Sequence, residues 1–302
     1  MSLGFGFSLA KRLDYLGFTV YAGCLSSDCE GAETLRSSTT GKMNVVQLDV
    51  TSDDSVNKAL KFVTDHVNKN NLELWAVVNN AGLNFLGDVE FCPMDIYKRI
   101  ADVNLFGVVR VTKAFLPLIR KAKGRIVNCT SVKGRLSLPT NTAYNITKYG
   151  VETFSDGLRL EMLKFGVKVI VVEPGNFGGA TGMLNENSLK VMRKDFDTMW
   201  TEAGADVKET YGKDYLEGLY TAGVNSKDTT HKTLAPVIDA YEDAIVNMSP
   251  QYRYLVDGSN QLFDIYCMLA RLNAILPVSC MDYLVDKVFS SGLPVIAAHK
   301  NK

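Results

Sequence analysis

Tyr144 and Lys148 stand four positions apart in the stretch NCTSVKGRLSLPTNTAYNITK (128–148), with Ser131 near its start. If Thr142 caps a helix, the two side chains rise from one face, a turn apart. A free tyrosine keeps its proton up to about pH 10, and bringing that value to about 7 takes roughly 4 kcal/mol in favour of the phenolate. One cation about 4 Å away, at an effective dielectric of about 20, supplies roughly that amount. The spacing therefore suits Tyr144 to general acid/base work, with Ser131 free to hydrogen-bond a substrate oxygen. The same pattern also describes a solvated lysine packed over a ring, so the surrounding elements must decide.

Those elements alternate. A Gly-rich start, MSLGFGFSLAKRL, runs into helical spacing up to Leu16 and stops at Gly17, and a helix start of this kind suits an anion because its exposed N–H groups and dipole point outward. Apolar strands are expected at 18–24, 43–50, 74–79, 124–130 and 167–173, with a last one at 252–256. Between them lie helical patterns at 53–68, capped by Thr51 or Ser52, at 94–121 and at 142–165, the last stopped by Gly166; another follows at 236–246. This alternation predicts an α/β fold with a doubly wound, mostly parallel, Rossmann-like sheet. Ligands bind such sheets at the carboxyl ends of the strands, where Asp49, Asn79, Ser131 and Pro174 would lie. One catalytic domain is expected over 1–256, with a strand-free insertion at about 185–232 that fits a substrate lid or a surface excursion equally well. The segment 257–302 reads as an apolar helical extension too interrupted to span a bilayer, leaving peripheral membrane contact, a dimer surface or ordinary packing open.

Composition narrows the classes. The 302 residues carry 33 basic and 33 acidic side chains, which argues against a nucleic-acid binder. Six scattered cysteines read as buried reduced thiols, and three separated histidines make a metal site improbable. The sequons at Asn128, Asn145 and Asn247 read as coincidental, and no signal or transit segment is visible at the start.

The ordered set of Gly4-Phe5-Gly6, Asp49-Val50, the NNAG run at 79–82, Asn104 in VNLFG, Ser131, Tyr144-x-x-x-Lys148 and Pro174-Gly175 resembles the short-chain dehydrogenase/reductase family. Within it, GFTVYAGCL, FLPLIRKAKGRIVN and EPGNF are similar to the branch of the D-3-hydroxybutyrate, hydroxysteroid and retinol dehydrogenases. The resemblance implies that Tyr144 exchanges a proton with the substrate oxygen while hydride moves between its carbon and a nicotinamide. Lys148 would lower the Tyr144 pKa and bind the ribose, Ser131 would orient substrate, and Asn104 would hold a water. By position Asn104 also fits a packed polar residue in a helix bend. The cofactor would meet Gly4, Phe5 and Gly6 at its phosphates. Cys24, Asp49, Val50, Asn79, Ala81 and Gly82 would meet its adenosine side; Tyr144, Lys148, Pro174, Gly175, Phe177 and Thr181 would meet its nicotinamide end.

Two departures from the family pattern carry expectations of their own. The family's T-G-x-x-x-G-x-G turn follows a strand, so its Thr, first Gly and first strand would precede Met1. The sheet is therefore expected to lack its first strand in this chain, through an incomplete gene model or transcript, with any transit peptide lost alongside. At the end of the 18–24 strand stands Cys24 rather than an acidic residue, with no Arg or Lys nearby to take a 2′-phosphate, which favours NAD over NADP.

Three functions follow from this reading. The first is an NAD-dependent oxidoreductase of D-3-hydroxybutyrate and acetoacetate; the second takes a steroid or retinoid; the third is a catalytically silent binding protein with a truncated cofactor turn. Lys133 is the candidate partner for an anionic substrate, although it reads more naturally as a solvated loop lysine. By resemblance the protein would be a homo-oligomer associated with mitochondrial or endoplasmic-reticulum membranes.

Overall fold

The computed structural model describes residues 4–37, 39–261 and 263–289. The first three residues of the expected opening turn, and 290–302 of the expected C-terminal extension, lie outside them. The chain begins with α1 (Gly4–Tyr15), β1 (Val20–Cys24), α2 (Glu30–Ser37), β2 (Met43–Gln47), α3 (Asp53–Lys69) and β3 (Ala76–Asn79). It continues through α4 (Met94–Ala101), α5 (Gly107–Ala122), β4 (Arg125–Cys129), α6 (Thr142–Met162) and β5 (Lys168–Pro174). The helices α7 (Glu186–Glu202), α8 (Ala205–Tyr211), α9 (Lys213–Asn225) and α10 (Ala235–Val246) precede β6 (Arg253–Val256), and α11 (Ile265–Leu272) and α12 (Val278–Phe289) follow it.

Among the described residues every strand pair is parallel, so the fold is the Rossmann-like α/β arrangement its alternation predicts. The strands form two hydrogen-bonded groups, β1–β2 and β3–β4–β5–β6. One face is covered by α1 and α10, whose Leu9, Val237 and Tyr241 pack on Val127, Ile170 and Val172. The opposite face is covered by α3 and α5 through Val56, Val63, Val111 and Phe115, and by α6 through Leu158 and Met162. Burial follows this layering. The residues of β4 are all buried and those of β5 nearly so, whereas β1, β2 and β3 are mostly half-exposed.

Several boundaries differ from the sequence reading for local reasons. Thr142 is the first residue of α6 rather than its cap; the cap position is Asn141, whose side chain makes no capping bond. Of the two candidates for α3, Ser52 is the cap, its hydroxyl accepting from the Ser55 N–H at 3.2 Å. The expected helix over 94–121 is interrupted by a π-helical turn at Asp102–Phe106, an extra residue of winding that its apolar spacing does not announce. Not all thiols are buried: Cys29 and Cys280 are exposed and Cys24 is half-buried.

Candidate active site

Ser131 follows β4 by two residues and opens a tight turn, Val132–Gly134, that packs against α6. Tyr144 and Lys148 lie on the buried face of α6, together with Thr147, Val151 and Ser155. The helical spacing therefore brings phenol and ammonium to one place: the Lys148 Nζ lies 5.6 Å from the Tyr144 ring centroid. The ammonium is not free to wander, because it donates to the carbonyl of Cys129 at 3.0 Å, at the end of β4. Ser131 is held by its neighbours: its hydroxyl donates to the Pro174 carbonyl at 3.4 Å and accepts from the Lys133 N–H at 3.2 Å. The first bond ties the segment after β4 to the end of β5 and the second lies within the turn that Ser131 opens, so the hydroxyl's direction is set by both.

Asn104 occupies the π-turn and is almost fully buried. Its carboxamide closes on a single residue, Oδ1 accepting from the Leu83 N–H at 2.7 Å and Nδ2 donating to the Leu83 carbonyl at 2.9 Å. A further bond runs from Nδ2 to Thr147 Oγ1 at 3.2 Å, and that hydroxyl donates to the Tyr144 carbonyl at 2.7 Å. Asn104 thus fastens the segment after β3 to the Tyr144 turn of α6. A Cβ added to Gly82 would lie 3.5 Å from Asn104 Oδ1 and 3.7 Å from Lys148 Nζ, so Gly82 adjoins the same cluster. Ala81 is the residue between Gly82 and the Asn80 that meets α1.

The remaining candidates frame this cluster. A Cβ on Gly6 would come within 2.8 Å of Asn80 Nδ2, so a glycine lets the first turn of α1 approach the end of β3. Phe5 meets Phe177 edge-on at 5.7 Å, joining that turn to the segment after β5. Gly4 has a left-handed φ of 74°, and the first turn of α1 contains no acidic side chain to compete for its N–H groups. Asn79 is buried, donating to Thr112 Oγ1 at 2.9 Å and to Asn128 Oδ1 at 2.8 Å, which makes it a brace beneath the site. Thr181 is buried and caps a short turn through a 3.3 Å bond from the Met183 N–H.

The adenosine-side candidates lie at the ends of β1 and β2. The Cys24 carbonyl accepts from the Leu48 N–H at 2.8 Å, and desolvation raises the Cys24 thiol pKa. Asp49 accepts from the Thr51 hydroxyl at 2.7 Å and the Thr51 N–H at 2.9 Å, and these bonds lower its pKa. Val50 packs over Gly107, where a Cβ would come within 2.8 Å of its Cγ2.

Gly175 shows how the C-terminal segment bears on the site. Its N–H donates to the Val256 carbonyl at 2.8 Å, and a Cβ there would come within 2.3 Å of Asp264 Oδ2. Asp264 caps α11 and also accepts from the Gly258 N–H at 2.6 Å. Sequence reasoning missed Thr147, Asn80 and Asp264. Thr147 had a signal, since it sits three positions after Tyr144, but Asp264 is joined to Gly175 by tertiary contact alone.

The short chain dehydrogenase family model matches residues 1–191. The chain is 45% identical to the mitochondrial D-beta-hydroxybutyrate dehydrogenase of Bos taurus over 83% of its own length and 73% of that protein's. It is 39% identical to retinol dehydrogenase 7 of Mus musculus over 94% of its length and 83% of that protein's. A short-chain dehydrogenase structure from Streptomyces avermitilis superposes with a TM-score of 0.69, at 23% identity and 96% coverage of both chains, a likeness of fold. With the alternating α/β fold and the Ser131, Tyr144 and Lys148 cluster at the strand ends, these matches lead to one conclusion: the chain belongs to the short-chain dehydrogenase family and is an oxidoreductase.

Proposed function

We propose that the chain interconverts a secondary alcohol and its ketone with NAD, and that its substrate pair is D-3-hydroxybutyrate and acetoacetate. The observation that carries this reading is the buried Tyr144 phenol, held beside the Lys148 ammonium on the same face of α6, with the Ser131 turn packed against that helix. In the oxidation direction Ser131 Oγ hydrogen-bonds the substrate hydroxyl, and the Tyr144 oxygen takes its proton. The Lys148 ammonium beside the ring stabilises negative charge on that oxygen during the exchange. Asn104 acts as the lock that keeps the Leu83 backbone and the Tyr144 turn together; its role in holding a water remains part of the same proposal.

The bound nicotinamide would accept the hydride from the carbinol carbon. Of the expected phosphate turn Gly4 and Gly6 are present: Gly6 gives the helix start a close approach to Asn80, and the first turn of α1 carries no acidic side chain to oppose a pyrophosphate. Cys24 at the end of β1, with neither Arg nor Lys close in sequence, supports NAD, while Arg36, whose charge acts on the Cys24 thiol, is the group that NADP would use. The insertion at 185–232 serves as a substrate cover, supported by Phe196, Met199 and Leu216, which pack with Phe85, Ile100 and Ala143 next to Tyr144. The mitochondrial name of the bovine relative supports that compartment. Among the described residues no helix is long and apolar enough to cross a membrane. Exposed Phe263, Ile275 and Val278 support peripheral membrane contact, and a homo-oligomer is part of the reading.

A second reading, a steroid or retinoid alcohol, is supported by identity to retinol dehydrogenase 7 that extends through 94% of the chain. Following NAD and NADP reduction with D-3-hydroxybutyrate, estradiol and retinol separates the readings. Turnover of the hydroxy acid with NAD is expected. Turnover of estradiol or retinol alone would replace the first reading with the second.

A further inference from the structure

Lys133 is not the solvated lysine its loop position suggests. It is partly buried on the Val132–Gly134 turn, and its Nζ donates to Asn141 Oδ1 at 2.5 Å. The same Nζ lies 5.7 Å from the Tyr144 ring centroid, so two ammonium groups, those of Lys133 and Lys148, flank one phenol. Asn141 is itself oriented, with its amide nitrogen donating to the Pro139 carbonyl at 3.1 Å and to Thr140 Oγ1 at 3.3 Å, which leaves its oxygen for the lysine.

The lysine's surroundings are neutral. Among the described residues no carboxylate makes ion-pair contact with it, and burial alone pulls its pKa down to about 8. The contrast with Arg253 is direct: that partly buried cation meets Glu152, Glu173 and Asp156. A desolvated charge without a counter-charge is unfavourable unless another group supplies one. Here the unpaired cation leaves the same turn as the Ser131 hydroxyl and stands over the Tyr144 ring.

We infer that Lys133 receives a carboxylate carried by the substrate and so selects a short hydroxy acid over a neutral alcohol. This rests on the reading of Tyr144 and Ser131 as the groups that meet the substrate's hydroxyl. A 3-hydroxy acid keeps its carboxylate two bonds from the carbinol carbon, a reach suited to a receptor on the turn that begins with Ser131. A steroid or retinoid alcohol has no such anion and would leave the ammonium unpaired beneath an apolar ligand.

The test compares wild type with Lys133→Gln and Lys133→Arg on D-3-hydroxybutyrate and on its methyl ester, which has the same hydroxyl and no charge. Lys133→Gln is expected to lower kcat/KM on the acid by about 10- to 100-fold, chiefly through KM, with a several-fold smaller loss on the ester; Lys133→Arg should keep the preference for the acid. Equal losses on both substrates, or none, would overturn the inference. Calorimetric titration of wild type and Lys133→Gln with acetoacetate, in the presence of NAD, which holds no hydride to give the ketone, reads the receptor without turnover. Binding weakened about tenfold or more in the variant supports it, while equal binding, or none to wild type, overturns it. Lys133-dependent acetoacetate binding without turnover would refute the proposed reaction and leave the receptor standing.

Discussion

The strands that lead to Ser131 and Pro174 are buried along almost their whole length, whereas those that lead to Cys24 and Asp49 are half open to solvent. On the first side, β4 lies between two hydrogen-bonded neighbours and has a helix layer on each face. On the second, among the described residues, β1 pairs with β2 only, and no ladder joins it to β3. The difference follows from pairing: close packing and crossed hydrogen bonds hold the groups of the first side within the fraction of an ångström that proton and hydride transfer require, whereas among the described residues β1 and β3 each have an edge without a strand neighbour.

Native-state amide exchange is the strongest way to break this comparison. Amides of β4 and β5 should exchange slower than those of β1 and β3 by on the order of a thousandfold, since half-exposed strands open locally. Equal protection on both sides would end the distinction. A matched pair of truncations reads the same difference in stability. Val127→Ala should cost about 2–3 kcal/mol in denaturant unfolding, because Val127 is fully buried. Val45→Ala on half-exposed β2 should cost about half of that or less.

The catalytic side was the more legible half in sequence. The four-residue spacing of Tyr144 and Lys148 specifies a shared helix face whatever the helix packs against, and the continuous apolar runs of β4 and β5 mark buried parallel strands. Other features had no local signature. The π-turn around Asn104 arises where the segment after β3 meets α6, and its residues, DVNLF, carry ordinary helical spacing. The desolvation of Lys133 depends on Asn141 and Tyr144 folding over a loop that reads as solvent-exposed. The division between β1 and β3 has no single-strand signature; only the family turn, with its first strand expected before Met1, bears on it.

Smaller effects test the braces beneath the site. Asn104→Ala removes the three bonds that join Leu83 and Thr147 to the π-turn, and should lower kcat about 10- to 100-fold while leaving the fold intact by circular dichroism. Glu152 gives a pH signature. Burial and then the neighbouring Glu173 push its carboxyl up to about 7, against the opposing effects of Thr130 and Arg253. A carboxyl whose folded pKa is raised holds its proton more tightly in the native state, so its contribution to stability falls as pH rises from its unfolded value through about 7. Melting of wild type should therefore drop more steeply across that window than melting of Glu152→Gln. Parallel curves would assign the pH dependence elsewhere.

The central claim is that Tyr144 moves the proton in a site already built by β4, β5 and α6. Turnover and NADH affinity measured together in Tyr144→Phe test it most directly, because the substitution removes one oxygen and keeps the packed ring. The account predicts a loss of turnover of about 10²- to 10⁴-fold with NADH binding changed by only a few-fold. Turnover within a few-fold of wild type would contradict it.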